Sequence, residues 1–184
     1  MLGFLCSEFL DFVGGRCGVT PDILGVPACS WDTCPGPDHV RTWADLVATE
    51  SGVPASALLC RFGAALFGRL IRGYPAFFVG IDSTCELMAL YETQIGAEVR
   101  KLDDAARPPY LMLRRPDGEP AEVVYRSQRG LADLAEGLLR GSIAHFGEPL
   151  DVERSRAASD GATEAVFRLV PRAEQRSRRG AGRR

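Results

Sequence analysis

Tyr125, Ser127 and Arg129 stand at alternate positions of the run Tyr125-Arg126-Ser127-Gln128-Arg129. Carried on the end of a β-strand, residues i, i+2 and i+4 project from one face. Two hydroxyls and a guanidinium on one face make a receptor for a carboxylate or phosphate. The planar guanidinium grips two oxygens at once, and the hydroxyls take the remaining lone pairs. The polar outer face of an edge strand has the same pattern, so the run alone does not separate a receptor from a solvated edge.

Other chemistry has little to build on. His39 and His145 are the only histidines, so a three-histidine metal site is impossible. The six cysteines, at positions 6, 17, 29, 34, 60 and 85, all lie in the first half. Cys29 and Cys34 with Cys17 and His39 supply four zinc ligands on paper. Their spacing matches no strong zinc pattern, and buried thiols are the simpler reading. No nucleophile–base pair, phosphate loop or acid dyad is visible, and Glu98 and Asp103-Asp104 read as solvated charges. An enzyme is therefore not expected.

The elements that must position these residues follow from periodicity. Leu2, Leu5, Phe9, Phe12 and Val13 mark a helix over 2–13, ended by Gly14-Gly15. Residues 18–38 read as loop with a short helix at 21–24, and a helix follows over 39–50. Another begins near Pro54, is interrupted at Gly63 and continues to Arg72. Gly73-Tyr74-Pro75 is a turn. Ser83 and Glu86 form a capping box that starts a helix running to Val99. Arg107-Pro108-Pro109 forces extended chain. Strands are predicted at 110–114 and 122–126 around Pro116-Asp117-Gly118, then a helix over 129–145. Two more strands follow at 150–155 and 165–170. Helices first and strand-strand-helix-strand-strand after them predict an α+β fold: a helical N-terminal lobe plus a C-terminal lobe with a small antiparallel sheet.

Residues 171–184 hold six of the 22 basic side chains and one of the 24 acidic ones. Residues 1–170 keep 16 basic and 23 acidic, a net charge of −7. The expected organisation is a folded unit over 1–170 and a basic, disordered tail over 171–184. A solubilising terminus is the simplest role for that tail, ahead of a nucleic-acid contact. No apolar run approaches the roughly 18 residues that span a bilayer. The first residues lack the basic start of a signal peptide. A cytoplasmic protein with reduced thiols and no membrane partner is expected.

Many short pieces, in order, resemble the heme nitric oxide/oxygen-binding (H-NOX) domain family. They are the opening MLGF, Arg61-Phe62-Gly63, Leu66-Phe67, Arg72-Gly73-Tyr74-Pro75 with Phe77-Phe78, and Asp82-Ser83. They continue with Glu98-Val99-Arg100-Lys101-Leu102, Ala106-Arg107-Pro108-Pro109, Tyr125-x-Ser127-x-Arg129-Gly130-Leu131, Leu134-Ala135-Glu136-Gly137-Leu138 and His145-Phe146-Gly147-Glu148-Pro149. The resemblance covers about residues 1–170. It implies a helical lobe closing over a heme, with Tyr125, Ser127 and Arg129 on the propionates. Pro109 would press on the porphyrin, and Leu5, Phe9, Phe78, Leu134 and Leu138 would line an apolar distal side. It also implies a sensor of a diatomic gas that signals in trans to a protein such as a histidine kinase or diguanylate cyclase. Oxygen-binding members carry a distal tyrosine where this chain has Leu134, so NO is the expected gas.

One position departs from the family. Its iron ligand is a histidine just before Glu-Val-Arg-Lys-Leu, and here that position is Gly96. Cys85 and Met88 lie about 16 and 12 Å back along the same helix, and Tyr91 is turned about 140° away. Glu92 shares the face of Gly96, but carboxylate is an uncommon heme ligand. His145 belongs to a helix C-terminus, where a cation favours the dipole, while His39, Cys6 and Cys60 in the N-terminal lobe stay open as substitutes. A glycine here leaves a hole the size of an imidazole ring, able to stay empty or to admit water or a small ligand. Two expectations follow: a sensor holding heme or another tetrapyrrole, and a heme-independent regulatory domain responsive to thiol redox state or zinc.

Overall fold

The computed structural model describes residues 2–18, 25, 38–95, 109–155 and 164–172. The chain runs through α1 (Leu2–Cys17), α2 (Asp38–Ser51), α3 (Ala55–Gly73), a 3-10 turn (Pro75–Phe78) and α4 (Thr84–Leu90), which continues as a π turn (Tyr91–Ile95). Then come β1 (Tyr110–Arg114), β2 (Ala121–Arg126), α5 (Ala132–Phe146), β3 (Leu150–Ser155) and β4 (Glu164–Pro171). The expected α+β architecture is what forms.

Two helices outrun their sequence signals. α1 passes through Gly14-Gly15 to Cys17, four residues beyond the expected end. A helical glycine costs about 1 kcal/mol against alanine, and the buried Phe9, Leu10 and Val13 with the packed Cys17 outweigh it. α3 is one helix, not two. Gly63 is no break: a Cβ there would lie 2.3 Å from the Leu134 carbonyl oxygen, and one at Gly137 2.1 Å from that of Cys60. The two glycines let α3 and α5 cross backbone to backbone. α4 begins on its expected cap. Ser83 Oγ accepts the Glu86 N–H at 3.2 Å, while Glu86 Oε2 accepts the N–H of Asp82, one residue earlier than a reciprocal box, at 2.8 Å.

The sheet is antiparallel in the order β1-β2-β4-β3. Gly118, at φ 75°, closes the β1–β2 hairpin in the left-handed region that favours glycine. The register pairs Leu111 with Tyr125 and Tyr125 with Ala165. β4 continues into Pro171, and Arg172 donates its N–H to the Pro149 carbonyl at 2.7 Å and its guanidinium to Asp151 at 3.2 Å. Residues 173–184 and 19–24, and the end of the helix expected to reach Val99, lie outside the described residues.

The interior has two cores. The first joins α1, α2 and the start of α3 to Leu131 and Leu134. The second joins the sheet to α4, Phe67 and the far half of α5. Among the described residues no single helix is long and apolar enough to cross a membrane. Cys6, Cys17, Cys60 and Cys85 form no disulfide.

Candidate functional site

β2 ends at Arg126, so the alternating strand face expected to carry Tyr125, Ser127 and Arg129 does not exist. Ser127 has left the sheet, Gln128-Arg129 is a turn, and Gly130 holds φ 61°. The three residues converge around that turn instead. Ser127 Oγ accepts the Arg129 N–H at 3.2 Å, a local hydroxyl-to-backbone bond that closes it. Tyr125 is buried, 2% exposed, and packs on Phe167. Burial pushes its phenol up from the ordinary value; hydrogen bonds from Ser127 and the Leu131 backbone, with the charges of Arg129 and Arg154, pull the other way. The phenol is therefore neutral, engaged with Ser127 and within the field of Arg129. A neutral phenol, a hydroxyl and a guanidinium around one turn remain a carboxylate receptor.

The turn is braced from two other elements. Arg41 of α2 donates Nη1 to the Gly130 carbonyl at 3.3 Å. Asp133, in the first turn of α5 where an acid suits the helix dipole, accepts from Arg154 of β3 at 2.6 Å and lies 3.9 Å from Arg41. Sequence reasoning missed Arg41, Asp133 and Arg154. Asp133 carries a weak signal as a first-turn acid; the arginines carry none, because their partners are remote in sequence.

Gly96 and Pro108 lie outside the described residues, as do Cys29 and Cys34. The approach to Gly96 is tied to β1. Tyr91 donates its hydroxyl to the Pro109 carbonyl at 3.0 Å, and Glu92 Oε2 accepts the Leu113 N–H at 3.3 Å. Glu92 is thus engaged with a strand edge. Pro109 is half-buried beside it.

The candidate substitute ligands sit apart. His39 is exposed beside Trp43, with ring centroids 6.1 Å apart. His145 is exposed at the end of α5, its ring against Phe67 and Phe146. Cys6 is wholly buried in the first core, and Met88 belongs to the second. Burial pushes the thiols of Cys60 and Cys85 up, and nearby carboxylates add to this. Both are protonated at neutral pH, whereas the thiolate is the form that ligates a metal. Among the described residues no group of three or more His, Cys, Asp or Glu side chains could hold a metal ion.

The apolar candidates divide. Phe9 and Leu134 are in the first core, with Leu5 packed against it; Phe78 packs on the second, 5.9 Å from the ring of Phe67. Leu138 touches both. The structure brings Leu5, Phe9, Leu134 and Leu138 to one core and leaves Phe78 on the other. Beside Phe78, Phe77 is 62% and Val79 82% exposed.

Residues 37–154 match the family model described as Haem-NO-binding. Known folds agree. The Fe(II) unliganded H-NOX protein from K. algicida superposes with a TM-score of 0.78 at 19% identity, over 95% of this chain and 98% of that one. An H-NOX protein from S. oneidensis in the Fe(II)NO ligation state gives 0.78 at 20% identity, over 93% and 99%. A mutant of T. tengcongensis H-NOX gives 0.75 at 18%, over 92% and 97%. No curated protein matches the sequence.

Proposed function

The chain belongs to the haem-NO-binding family, and from that premise we propose that it is a sensor module. It holds heme or another tetrapyrrole by the carboxylates of the ring and passes occupancy to a partner protein in trans. The observation that carries this reading is the convergence of Tyr125, Ser127 and Arg129 on one closed turn. That donor set fits the carboxylate edge of a porphyrin. Arg129 supplies the charge, Ser127 and Tyr125 the hydroxyls, and Arg41 and Asp133 hold the turn in place. Leu134 and Leu138 are apolar, so no hydroxyl from α5 would hold bound oxygen, and NO is the preferred gas. Bound iron would supply the coordination site for that gas.

The iron side does not fit as well. Among the described residues the candidate substitutes sit apart, His39 and His145 exposed and the Cys60 and Cys85 thiols pushed up by burial, and the resemblance puts Gly96 at the ligand position. The glycine at position 96 favours a second reading, a heme-independent regulatory domain responsive to thiol redox state or zinc.

Titration of the full chain with hemin separates the two. A stoichiometric Soret band that survives desalting, weakened about tenfold or more by Arg129→Ala, is expected if Arg129 makes a charge-assisted contact of about 1.5–3 kcal/mol. No stoichiometric uptake, even with imidazole added to fill the Gly96 hole, would sink the tetrapyrrole reading. Gly96→His should change the absorption spectrum of the hemin-loaded chain, because an imidazole there would be available to the iron. An unchanged spectrum would move the ligand position elsewhere.

A further inference from the structure

α1 and α3 run antiparallel: Phe4 meets Tyr74, Glu8 pairs with Arg69, and Phe12 lies on Phe62. Beside this seam lies a cleft of about 420 Å³, floored by Gly15, Ala64, Ala65 and Gly68 with Phe12, and flanked by three arginines, Arg16, Arg69 and Arg72, and one acid, Asp11. Its glycines differ from those of the α3–α5 crossing. A Cβ on Gly15 would meet nothing within 4 Å, and one on Gly68 only the Arg72 guanidinium at 3.5 Å. Internal packing does not require either glycine, yet each costs the helix about 1 kcal/mol against alanine. The space they leave faces outward.

The charges at the rim are uneven. Arg69 is matched by Glu8 and Asp11 on α1. Among the described residues Arg16 and Arg72 have no ion pair or hydrogen bond. They stand on a body whose first 170 residues carry a net charge of −7. A basic cleft on an acidic body focuses its field on an anionic visitor. The shape selects among anions. Two antiparallel helices with small residues between them accept a third helix at the 8–10 Å spacing of packed helices.

We propose that this cleft docks an acidic helical segment of a partner protein. The proposal rests on the sensor reading for its purpose, since a module that signals in trans needs a docking face. It does not rest on that reading for its chemistry. α1 also carries Phe9 of the first core, so a shift of α1 against α3 changes the cleft directly.

The test uses the full chain and a labelled, end-capped, alanine-rich helical peptide of about 20 residues with glutamates seven apart. Saturable binding by fluorescence anisotropy is expected, weakened at least tenfold in Arg16→Glu/Arg72→Glu. Gly15→Leu adds its bulk from a Cβ that meets no protein atom within 4 Å, and should weaken binding as much, with unchanged far-UV circular dichroism. No saturable binding, or equal binding by these variants, overturns the proposal. So does equal binding of the same peptide with glutamine for glutamate. Complete displacement by millimolar inorganic phosphate would make the cleft a simple anion site. Loss of self-association in Gly15→Leu would make its occupant a second copy of this chain. Hemin uptake is measured on the same proteins: if the unaltered chain binds peptide and no protein binds hemin, the sensor reading fails and the cleft stands.

Discussion

The core beneath α1 and α2 and the core beneath the sheet meet at the α3–α5 crossing, but they are held by different forces. The first is filled by apolar side chains such as Phe9, Val13, Val40, Val47 and Phe62. The buried hydroxyls of Thr84 and Ser142 lie on the other side, where α4 meets α5. Their hydroxyls are 3.0 Å apart. Thr84 also donates its hydroxyl to Glu148 and its N–H to the same carboxylate at 3.0 Å, so an anion from beyond α5 caps the start of α4. Apolar burial has no preferred direction, whereas a buried hydrogen bond fails when its partner moves. The helix leading towards Gly96 is therefore pinned by buried hydrogen bonds, whereas the polar ties of the helices opposite it, Arg69 to Glu8 and Asp11 and Arg41 to the Gly130 carbonyl, lie at the surface or are only partly buried.

The largest effects test whether the two cores fold as one. Phe9→Ala and Phe167→Ala each empty a wholly buried site and should cost about 3–5 kcal/mol. A single urea transition in both variants is expected, because the crossing joins the cores. Two transitions in Phe9→Ala would make the helical lobe a separate unit. Next is the crossing itself. Gly137→Ala drives a Cβ into the Cys60 carbonyl and should cost about 1–3 kcal/mol or more, while Gly15→Ala should be neutral or gain up to about 1 kcal/mol. Equal midpoints for the two would remove the close crossing.

Thr84→Val keeps the shape but removes the hydroxyl that donates to Glu148 and lies beside Ser142, at about 1–3 kcal/mol. Amide exchange should quicken in α4 and stay unchanged in α2; a uniform rise would erase the distinction between the cores. The smallest effect is with pH. Cys60 and Cys85 are held protonated by burial, so the unfolded thiols ionise first. Stability should be level below the ordinary thiol value near 8.5 and fall as pH rises above it. Cys60→Ala/Cys85→Ala should flatten that fall, as a thermal melt series from pH 7 to 10 would show.

Much of this is legible in the chain. The Ser83–Glu86 cap, the Pro116-Asp117-Gly118 turn and the strands around it are local signals, and they form where the residues point. The identities of the receptor residues are legible too. Their geometry is not: strand alternation would set Tyr125, Ser127 and Arg129 on one face, and a turn closed by Ser127 Oγ brings them together instead. The glycines mislead for a related reason. Gly14-Gly15 and Gly63 look alike as breaks, yet both stretches stay helical, one beside an open cleft and one against the backbone of α5.

The sequence by itself determined the helix and strand periods, the turn chemistry, the absence of a third histidine and the glycine at position 96. These depend on residues within a few positions of one another, or on a count. The tertiary structure decided where the guanidinium groups work: Arg41 on the Gly130 carbonyl, Arg154 on Asp133, Arg69 between Glu8 and Asp11, and Arg16 and Arg72 at an open cleft. An arginine side chain is long and carries its charge at its tip, so its partner is fixed by which elements pack beside it and not by its neighbours in the chain.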